Sequence, residues 1–317
     1  MIKVGIVPCQ NGLGHISRSI DLANALSSKF QVFLISDPKS WDKFRINRYV
    51  KKIKFISNFK IKYKRYDQQW YKKLDNTIKN INLNFLISDN LPEIVFLKYK
   101  CIIMSNFFWH EIYKIQNDKL KKTLEIIKVK KIKIFRNKIF KEDKKFSSIG
   151  FVGNINTNIK KEKGLLISFS SLDLKNVKIS KEINTIIYDQ QRKETLYLDP
   201  KYFKKHYNKF NVKIADYSQN MYSKVKFAFI KPGLGTIKDC LKNKIIIFSY
   251  LDKNYNQEFF NNANALSRNN IGYKTTSLLK SYNDTRKNKI LINFKVKKNF
   301  FNGENKIIKY IKNNIKI

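Results

Sequence analysis

IKVGIVPCQNGLGHISRSIDLANAL, residues 2–26, is the stretch that decides the fold. Its apolar run Val4–Pro8 is typical of a fully buried strand. Gly12 and Gly14 then form a glycine turn, and an amphipathic helix follows that turn. The helix places its apolar residues on one face at helical spacing: Ile16, Ile20 and Ala23. The stretch therefore predicts a strand, a glycine turn and a helix in that order.

The turn before this helix is suited to binding an anion, because free backbone N–H groups and the positive end of the helix dipole converge there. His15 and Arg18 lie on the first helical turn, so a titratable group stands beside a fixed cation. We interpret His15 as a candidate general base, with capping or packing as the alternative. Arg18 is a candidate anion ligand, with a plain surface ion pair as the alternative.

Strand and helix patterns alternate along the chain, which predicts an α/β protein with parallel sheets. Residues 130–148 are rich in lysine and poorly periodic, and we predict no element there. Residues 154–163 are polar and are interpreted as a linker. The sequence thus predicts an N-terminal domain over residues 1–153, a C-terminal domain over 164–300 and a terminal helix in 301–317.

The second predicted domain resembles the first in type. A strand at Lys226–Ile230 runs into a second glycine turn, Pro232–Thr236, which opens another helix. A further helix is predicted over Glu258–Asn269, and a strand is predicted over Ile183–Tyr188. The serine-rich turn Ser168–Ser171 is either part of an anion site or a plain polar turn.

A strand predicted over residues 84–88 of the first domain ends in Asp89, at the edge where candidate site residues collect. We interpret Asp89 as a second candidate base, with capping of the helix at Pro92 as the alternative. The aromatic run Phe107–Trp109 is interpreted as packing, and His110 and His206 are assigned structural roles.

The chain has 317 residues, a formal net charge of +41 and 43% hydrophobic residues. The hydrophobic share allows buried cores and excludes wholesale disorder. The charge would ordinarily indicate a nucleic-acid or anionic-membrane partner. The cations are mostly Lys, spread from end to end, and Arg, the better reader of bases and phosphates, is scarce. We therefore expect no specific nucleic-acid partner, while contact with an anionic membrane surface stays open.

Three cysteines, Cys9, Cys101 and Cys240, are too few and too scattered for a disulfide framework or a zinc site. We interpret them as reduced packing residues and expect neither a metal site nor a cofactor. The start of the chain has no signal-peptide pattern, and no apolar run approaches the ~20 residues that span a bilayer. The expected location is cytoplasmic, with peripheral contact at the inner membrane face as a further expectation.

Five blocks of sequence, in order, resemble one family of enzymes. They are GLGHISRSIDLANAL at 12–26, ISDNLPEIVF at 87–96, SNFFWHEIY at 105–113, KPGLGTIKDCLKNKIIIF at 231–248 and NQEFFNNANAL at 256–266. Together they resemble the two-domain GT-B glycosyltransferases, and most of all the family of the lipid II N-acetylglucosaminyltransferase. They are also similar to a glycosyltransferase-like domain fused to sugar kinases. The G-x-G-H-x-x-R stretch is similar to nucleotide-sugar hydrolases of nonulosonic acid pathways as well.

The resemblance implies two Rossmann-like domains whose parallel sheets face each other across a cleft. It implies a nucleotide-sugar donor held mainly by the C-terminal domain and an acceptor held by the N-terminal domain, without a metal ion. Helix N-termini and backbone amides would stabilise the diphosphate leaving group. Asp239 stands where the family usually has Glu, and Asn243–Ile245 replaces its Gly-Lys-Pro, which we interpret as divergence in a turn.

The resemblance also assigns site residues. His15 and Asp89 are the catalytic candidates, with His15 taking the proton from an acceptor hydroxyl or water. Thr236 would donate to a phosphate oxygen, Asp239 would accept from the ribose hydroxyls, and Gln257 with Glu258 would read the sugar hydroxyls. The full donor-binding set is Gly12, Gly14, Arg18, Ser170, Gly233, Gly235, Thr236, Asp239, Gln257 and Glu258.

Four functions remain open from the sequence. The favoured one is inverting, metal-independent transfer of a sugar from a nucleotide-diphospho-sugar to a lipid-linked or polysaccharide acceptor of the cell envelope, with a UDP-sugar as the favoured donor. The alternatives are a nucleotide-sugar hydrolase of the same fold, a basic nucleic-acid-binding protein and an inactive homologue that binds the donor. The donor sugar, the base and the acceptor depend on side chains in divergent loops.

Overall fold

The computed structural model describes residues 1–9, 13–36, 53–56, 70–107, 118–156, 164–169, 176–287 and 296–315. The chain divides into two compact units. The first comprises Met1–Gly153 and Asn299–Ile317, and the second comprises Asn154–Lys298. Each unit is built on one parallel sheet with helices packed against it, as the sequence predicts.

The sheet of the first unit has seven parallel strands in the order β3-β2-β1-β4-β5-β6-β7. The order reverses between β1 and β4, because successive strands are added first on one side of β1 and then on the other. Ligands of open α/β sheets bind outside the carboxyl ends of the strands at such a switch point. The strands are β1 Lys3–Pro8, β2 Gln31–Ile35, β3 Ile53–Ile56, β4 Phe85–Asp89, β5 Cys101–Met104, β6 Lys133–Asn137 and β7 Ser147–Ile149.

The described helices of the first unit cover both faces of this sheet. They are α1 Leu13–Leu26, α2 Trp70–Ile78, α3 Asp118–Val129 and the C-terminal helix Gly303–Asn314. One core lies under α2 and α3, and a second core joins α1 to the C-terminal helix, whose Ile307 and Ile311 are fully buried. The end of the chain is therefore part of the first unit's packing.

The sheet of the second unit has six parallel strands in the order β10-β9-β8-β11-β12-β13, with its own reversal between β8 and β11. The strands are β8 Gly164–Ser168, β9 Leu196–Leu198, β10 Val212–Ile214, β11 Val225–Ile230, β12 Ile246–Tyr250 and β13 Tyr273–Thr275. The helices are α4 Val177–Ile187, α5 Gln219–Lys224, α6 Leu234–Lys242, α7 Gln257–Arg268 and α8 Leu278–Arg286. The C-terminal helix of the chain is thus α9.

Two predictions of local structure are wrong. Ile183–Tyr188 is not a strand, because residues 177–187 form α4. The N-cap residue of that helix is Asn176, whose side chain accepts from the backbone N–H groups of Lys178 and Ile179. The helix buries its isoleucines at helical spacing. Residues 130–148, where no element is predicted, contain β6, which pairs between β5 and β7.

The three cysteines are reduced and buried, as predicted. Burial raises the pKa of the Cys101 thiol to about 11. Such a thiol stays protonated at neutral pH and is a poor nucleophile.

In the part of the chain that the structure describes, no helix has the length and apolar character needed to cross a membrane.

Candidate functional site

Asp89 is the last residue of β4 and lies at the switch point of the first sheet. Its backbone pairs with Pro8 of β1 on one side and with Met104 of β5 on the other. The next residue, Asn90, has a left-handed backbone with φ of 61°, and its N–H donates to the carbonyl of Met104. Neighbouring Ser88 bonds both backbone groups of Leu91 through its hydroxyl. The turn therefore fixes the Asp89 side chain at the carboxyl edge of the sheet.

Helix α1 brings three side chains to this carboxylate from one face, since His15, Arg18 and Ser19 stand at i, i+3 and i+4. His15 Nδ1 lies 2.9 Å from Asp89 Oδ1. Arg18 Nε donates to Asp89 Oδ2 at 2.9 Å, and its Nη2 donates to Oδ1. Ser19 Oγ donates to Oδ2 at 3.4 Å. The structure thus brings together both residues predicted as catalytic, and Arg18 with them.

The Asp89 carboxylate is ionised despite its burial. Only 1% of its side chain is exposed, and burial alone would raise its pKa. The guanidinium of Arg18 and the ring of His15 outweigh that effect and hold the pKa of Asp89 far below its ordinary value. A buried carboxylate with such a low pKa is a weak proton acceptor. Asp89 is therefore better suited to positioning His15 than to acting as a base itself.

An ionised Asp89 also fixes the tautomer of His15. A carboxylate can only accept, so a hydrogen bond over the 2.9 Å between His15 Nδ1 and Asp89 Oδ1 places the ring proton on Nδ1. Arg18 Nη2, which lies 3.2 Å from the same nitrogen, then donates to Asp89 Oδ1 and not to the ring. The lone pair of the neutral ring is then on Nε2, and the side chain keeps 20% of its surface exposed. This is the arrangement by which a carboxylate orients a histidine that serves as a general base.

Two of the structural roles that the sequence left open for these residues are wrong. Asp89 does not cap the short helix at Pro92–Phe96, whose N-cap residue is Leu91 and which receives no side-chain cap. Arg18 does not form a plain surface pair, because its partner is almost fully buried.

The N-terminus of α1 is open at Gly14. A Cβ added there would meet nothing within 4 Å, and the residue is outside the left-handed region that favours glycine. Neither crowding nor backbone strain therefore requires a glycine at this position. Its exposed backbone is consistent with the predicted approach of a ligand. Gly12, also predicted to bind the donor, lies outside the described residues.

The second glycine turn lies at the corresponding place in the second unit. Lys231 follows β11 directly, and its N–H donates to the carbonyl of Ser168 at the end of β8. Gly233 is the N-cap residue of α6, and an added Cβ there would come no nearer than 4.0 Å to another atom. The turn thus leaves the N-terminus of a nine-residue helix unobstructed.

Helix α7 fixes this turn through Asn262. The side chain is 1% exposed, and its Nδ2 donates to the carbonyl of Pro232 at 2.9 Å. Asn262 is not among the site residues predicted from the sequence. The signal was present, since a polar Asn262 beside Ala263 and near Leu266 on a buried helix face requires a partner.

The ammonium of Lys231 lies over two aromatic rings beside the turn. Its Nζ is 4.3 Å from the ring centre of Tyr255 and 4.7 Å from that of Phe259. The contacts place a cation next to the N-terminus of α6, where the helix dipole also favours anions. The lysine was read in sequence only as part of the turn, because its aromatic partners are more than twenty residues away.

The remaining predicted donor ligands fall on two helices. Gly235 and Thr236 are in the first turn of α6, and Asp239 is one turn later with 34% of its side chain exposed. Asp239 Oδ1 lies 3.4 Å from Lys238 Nζ. Ser170 lies outside the described residues.

Gln257 and Glu258 begin α7, the helix that carries Asn262. Gln257 is exposed and donates to Asn261 Oδ1, while Glu258 is half-buried. The structure therefore ties this pair to the glycine turn through the shared helix, and no described contact joins either side chain to the turn directly.

A second missed group lies at the carboxyl edge of the same sheet. Tyr217 Oη donates to Asp199 Oδ2 and lies 2.9 Å from Ser168 Oγ. Burial and the neighbouring Asp199 carboxylate raise the pKa of Tyr217 far above its ordinary value. The phenol therefore stays protonated and fixes Ser168, the first residue of the predicted serine turn.

Metal ligands were not predicted from the sequence. Among residues 1–9, 13–36 and the other described ranges, no three His, Cys, Asp or Glu side chains are grouped as a metal site.

Comparison with known proteins gives a likeness in structure alone. No family model matches the sequence, and no curated protein matches it. Among solved structures, Acinetobacter baumannii MurG has a TM-score of 0.63 at 10% identity, over 99% of this chain and 100% of that one. The spinosyn forosaminyltransferase SpnP has a TM-score of 0.60 at 10% identity, over 99% of this chain and 95% of that one. LpCGTa in complex with UDP has a TM-score of 0.56 at 10% identity, over 87% of this chain and 85% of that one.

At such identities the likeness shows the fold, which is that of the GT-B glycosyltransferases. MurG is the lipid II N-acetylglucosaminyltransferase, so the structural likeness includes the family that the sequence blocks resemble. The predicted fold class is confirmed.

Proposed function

We propose that the protein is a glycosyltransferase that moves a sugar from a nucleotide-diphospho-sugar to an acceptor hydroxyl, with inversion and without a metal ion. The observation that carries the proposal is the histidine oriented by a buried aspartate, His15 and Asp89, at the switch point of a sheet in a chain of GT-B fold. A second, open helix N-terminus at Gly233 supports a site for the donor diphosphate.

In the proposed reaction the first unit supplies the base. His15 Nε2 takes the proton of the acceptor hydroxyl as its oxygen attacks the anomeric carbon. The ionised Asp89 keeps the other ring proton on Nδ1 and stabilises the positive charge that develops on the ring. Arg18 holds Asp89 in place, so its main part is positioning.

The second unit is proposed to hold the donor. As the new bond forms, the bond between the anomeric carbon and the diphosphate oxygen breaks, and the nucleoside diphosphate leaves with that electron pair. Backbone N–H groups at Leu234–Thr236 and the ammonium of Lys231 would stabilise its negative charge, while the N–H of Gly233 donates to the carbonyl of Lys231. Asp239 would accept from the ribose, and Gln257 with Glu258 would contact the sugar.

The acceptor is proposed to be a glycan or a lipid-linked molecule of the cell envelope, and a UDP-sugar is the favoured donor. The fold of a UDP complex, LpCGTa, supports the second choice. A cytoplasmic location at the inner membrane face belongs to the same proposal, since a lipid-linked acceptor would lie at that surface.

Incubation with a panel of UDP-, GDP- and CMP-sugars tests the proposal. We expect nucleoside diphosphate release that depends on an added acceptor preparation of lipid-linked and polysaccharide glycans. Release of free sugar at the same rate without any acceptor would favour the hydrolase, in which His15 activates water. Consumption of no donor under either condition would contradict both enzymes.

Replacement of Gly14 by alanine is expected to lower turnover roughly tenfold without loss of stability. The new methyl group meets no neighbour, and alanine within a helix is ~0.5–1 kcal/mol more favourable than glycine. The methyl would, however, obstruct a ligand at the backbone of the first turn. Thermal unfolding and turnover of the same sample measure the two effects.

The matched control for that variant is Asn24→Ala, on the same helix but away from its N-terminus. We expect unchanged turnover there. An equal loss of activity in both variants would indicate an effect on the helix as a whole and would contradict a ligand at Gly14.

Replacement of Asp239 by asparagine is expected to weaken nucleotide binding ~10-fold or more, the scale of a lost hydrogen bond to a charged acceptor. The side chain is one-third exposed, so stability should change little. Asp284→Asn, a half-buried acid on α8 of the same unit, is the matched control. Calorimetric titration with UDP measures both. A dissociation constant for UDP that Asp239→Asn leaves unaltered would show that the ribose contact is misplaced.

A further inference from the structure

One surface of the second unit combines exposed aromatic rings with lysines. It is formed by the end of α4, by the short 3-10 helix Lys205–Phe210 and by the edge strand β10. We call it the aromatic–lysine patch. Its members are Tyr188, Lys201, Lys204, Lys205, His206, Lys209, Phe210, Lys213 and Ile214.

The aromatic side chains of the patch contact one another and solvent. The rings of Tyr188 and Phe210 meet edge to face with centroids 4.8 Å apart, and these residues are 45% and 37% exposed. Tyr188 Oη lies 3.4 Å from Nε2 of His206. Ile214, on β10 of the same patch, is 50% exposed. Two of the few large apolar side chains exposed in the described chain, Tyr188 and Phe210, are thus in contact on one surface, and Ile214 is on the strand that follows the 3-10 helix.

The charges of the patch have one sign. Residues 201–215 contain five lysines and neither Asp nor Glu, and all five lysines are exposed. The acid that follows Tyr188, Asp189, is bonded to Arg286 and Tyr282 and so is already neutralised. Asp216, beyond the end of β10, is an exposed acid, but the five lysines outnumber it and give the patch a net positive field.

The exposure of these rings is not the result of a loose loop. Arg192 is 8% exposed, and its guanidinium donates to backbone carbonyls on both sides of the patch. It bonds Ile186 and Ile187 at the end of α4 and Phe210 and Asn211 at the end of the 3-10 helix. A buried arginine of this kind fixes the backbone that presents Tyr188 and Phe210.

Protection of a sheet edge explains only part of the patch. Lysine on an edge strand prevents strand pairing between molecules, which accounts for Lys213. It does not account for the lysines on the 3-10 helix. It also leaves the exposure of the aromatic rings unexplained, since they would lose solvent contact only if another surface covered them. Aromatic side chains with an apolar body and a polar tip, ringed by lysines, fit the headgroup region of an anionic bilayer.

We propose that the aromatic–lysine patch docks the protein on an anionic phospholipid surface. The lysines attract the headgroup layer, and Tyr188 and Phe210 enter its outer part. This fits an enzyme with a lipid-linked acceptor, but vesicle binding needs neither donor nor turnover. Its result is therefore independent of the proposed transferase reaction.

The test is partition of the full-length protein onto vesicles of phosphatidylcholine with and without phosphatidylglycerol. We expect binding to the anionic vesicles alone, weakened by salt. The triple variant K204Q/K205Q/K209Q should bind them roughly 100-fold more weakly, the scale expected for three lysines near such a surface. Phe210→Ala should weaken binding severalfold and keep the salt dependence.

The matched control removes the same charge elsewhere: K141Q/K144Q/K253Q, three exposed lysines outside the patch. It should lower partition less than threefold. Equal losses in the two triple variants would assign binding to the diffuse charge of the chain and would overturn the proposal. Wild-type protein that binds duplex DNA through these lysines but ignores the vesicles would overturn it in favour of nucleic acid. Thermal unfolding of every variant confirms that each is folded.

Discussion

Replacement of His15 by alanine is expected to lower turnover at least ~100-fold, the scale of a lost general base, while the dissociation constant of the nucleotide stays nearly unchanged. The reason is geometric. Asp89 holds the Nδ1 proton of His15, so Nε2 is the nitrogen that can take a proton. Most of the predicted donor ligands are in the other unit, and His15 is not among them.

Two further variants serve as controls for His15→Ala. His206→Ala removes another exposed histidine, one that contacts Tyr188 in the second unit, and should leave turnover on a water-soluble acceptor unchanged. His15→Gln keeps a side chain of similar length but has no basic nitrogen, so it should be as slow as His15→Ala. A near-normal rate in either His15 variant would rule out His15 as the base.

Replacement of Asp89 by asparagine is expected to cost ~3–5 kcal/mol in the free energy of unfolding, the scale of breaking one partner from a buried ion pair. The carboxylate is 1% exposed, and its oxygens accept from His15, Arg18 and Ser19. Asparagine keeps one acceptor oxygen but leaves the guanidinium of Arg18 without its counter-charge. Turnover should fall as well, because a neutral side chain neither holds the proton on Nδ1 nor stabilises the positive charge that develops on His15.

The pH dependence of this effect has a definite sign. Arg18 and His15 depress the pKa of Asp89 in the folded protein below its ordinary value of 3.8. Above that value the stabilising contribution is fully present. As the pH falls through it, the unfolded chain takes up a proton that the folded chain does not, and stability is lost. The difference between wild type and Asp89→Asn should therefore be constant from pH 7 to about pH 5 and shrink below about pH 4.

Urea unfolding of both proteins across that range measures the difference. The double variant with Arg18→Met supplies the control, since it removes both charges together and should be more stable than the sum of the single losses predicts. A difference that is small at pH 7, or that grows as the solution becomes acidic, would contradict a buried ionised Asp89.

Local patterns were sufficient to predict the framework of the site. The strand β1, the glycine at position 14 and the apolar face of α1 are all encoded within residues 2–26. The same local logic identified the second turn at Gly233. What it could not supply is the contact between His15 and Asp89, which are 74 residues apart and meet only because β4 pairs beside β1.

The errors have physical causes that differ from place to place. Residues 183–187 of α4, INTII, are mostly β-branched, and a short window of β-branched residues suggests a strand. The N-cap at Asn176 and the helical spacing of the buried isoleucines from Ile179 onward favour a helix instead. β6 was missed because its sequence, KIFRN, has only two apolar residues and shows neither a continuous apolar run nor a strict alternation. The segment is a strand because it pairs between β5 and β7.

The long-range contacts of the second unit were beyond any local pattern. Tyr217 has a left-handed backbone with φ of 54° and joins Ser168 to Asp199, residues on two other segments. The aromatic contacts of Lys231 likewise depend on where α7 packs. Such contacts follow from the topology of the sheet. That topology depends on all the strands together and cannot be predicted from any one local stretch of sequence.

The most direct test of the account is the anomeric configuration of the product, read by proton NMR after reaction of an α-linked UDP-sugar with its acceptor. The account predicts a glycoside of inverted, β configuration, formed by the wild-type protein only when acceptor is present and not detectably by His15→Ala. A product of retained configuration would contradict direct displacement assisted by His15. Free sugar formed equally well without acceptor would contradict transfer itself.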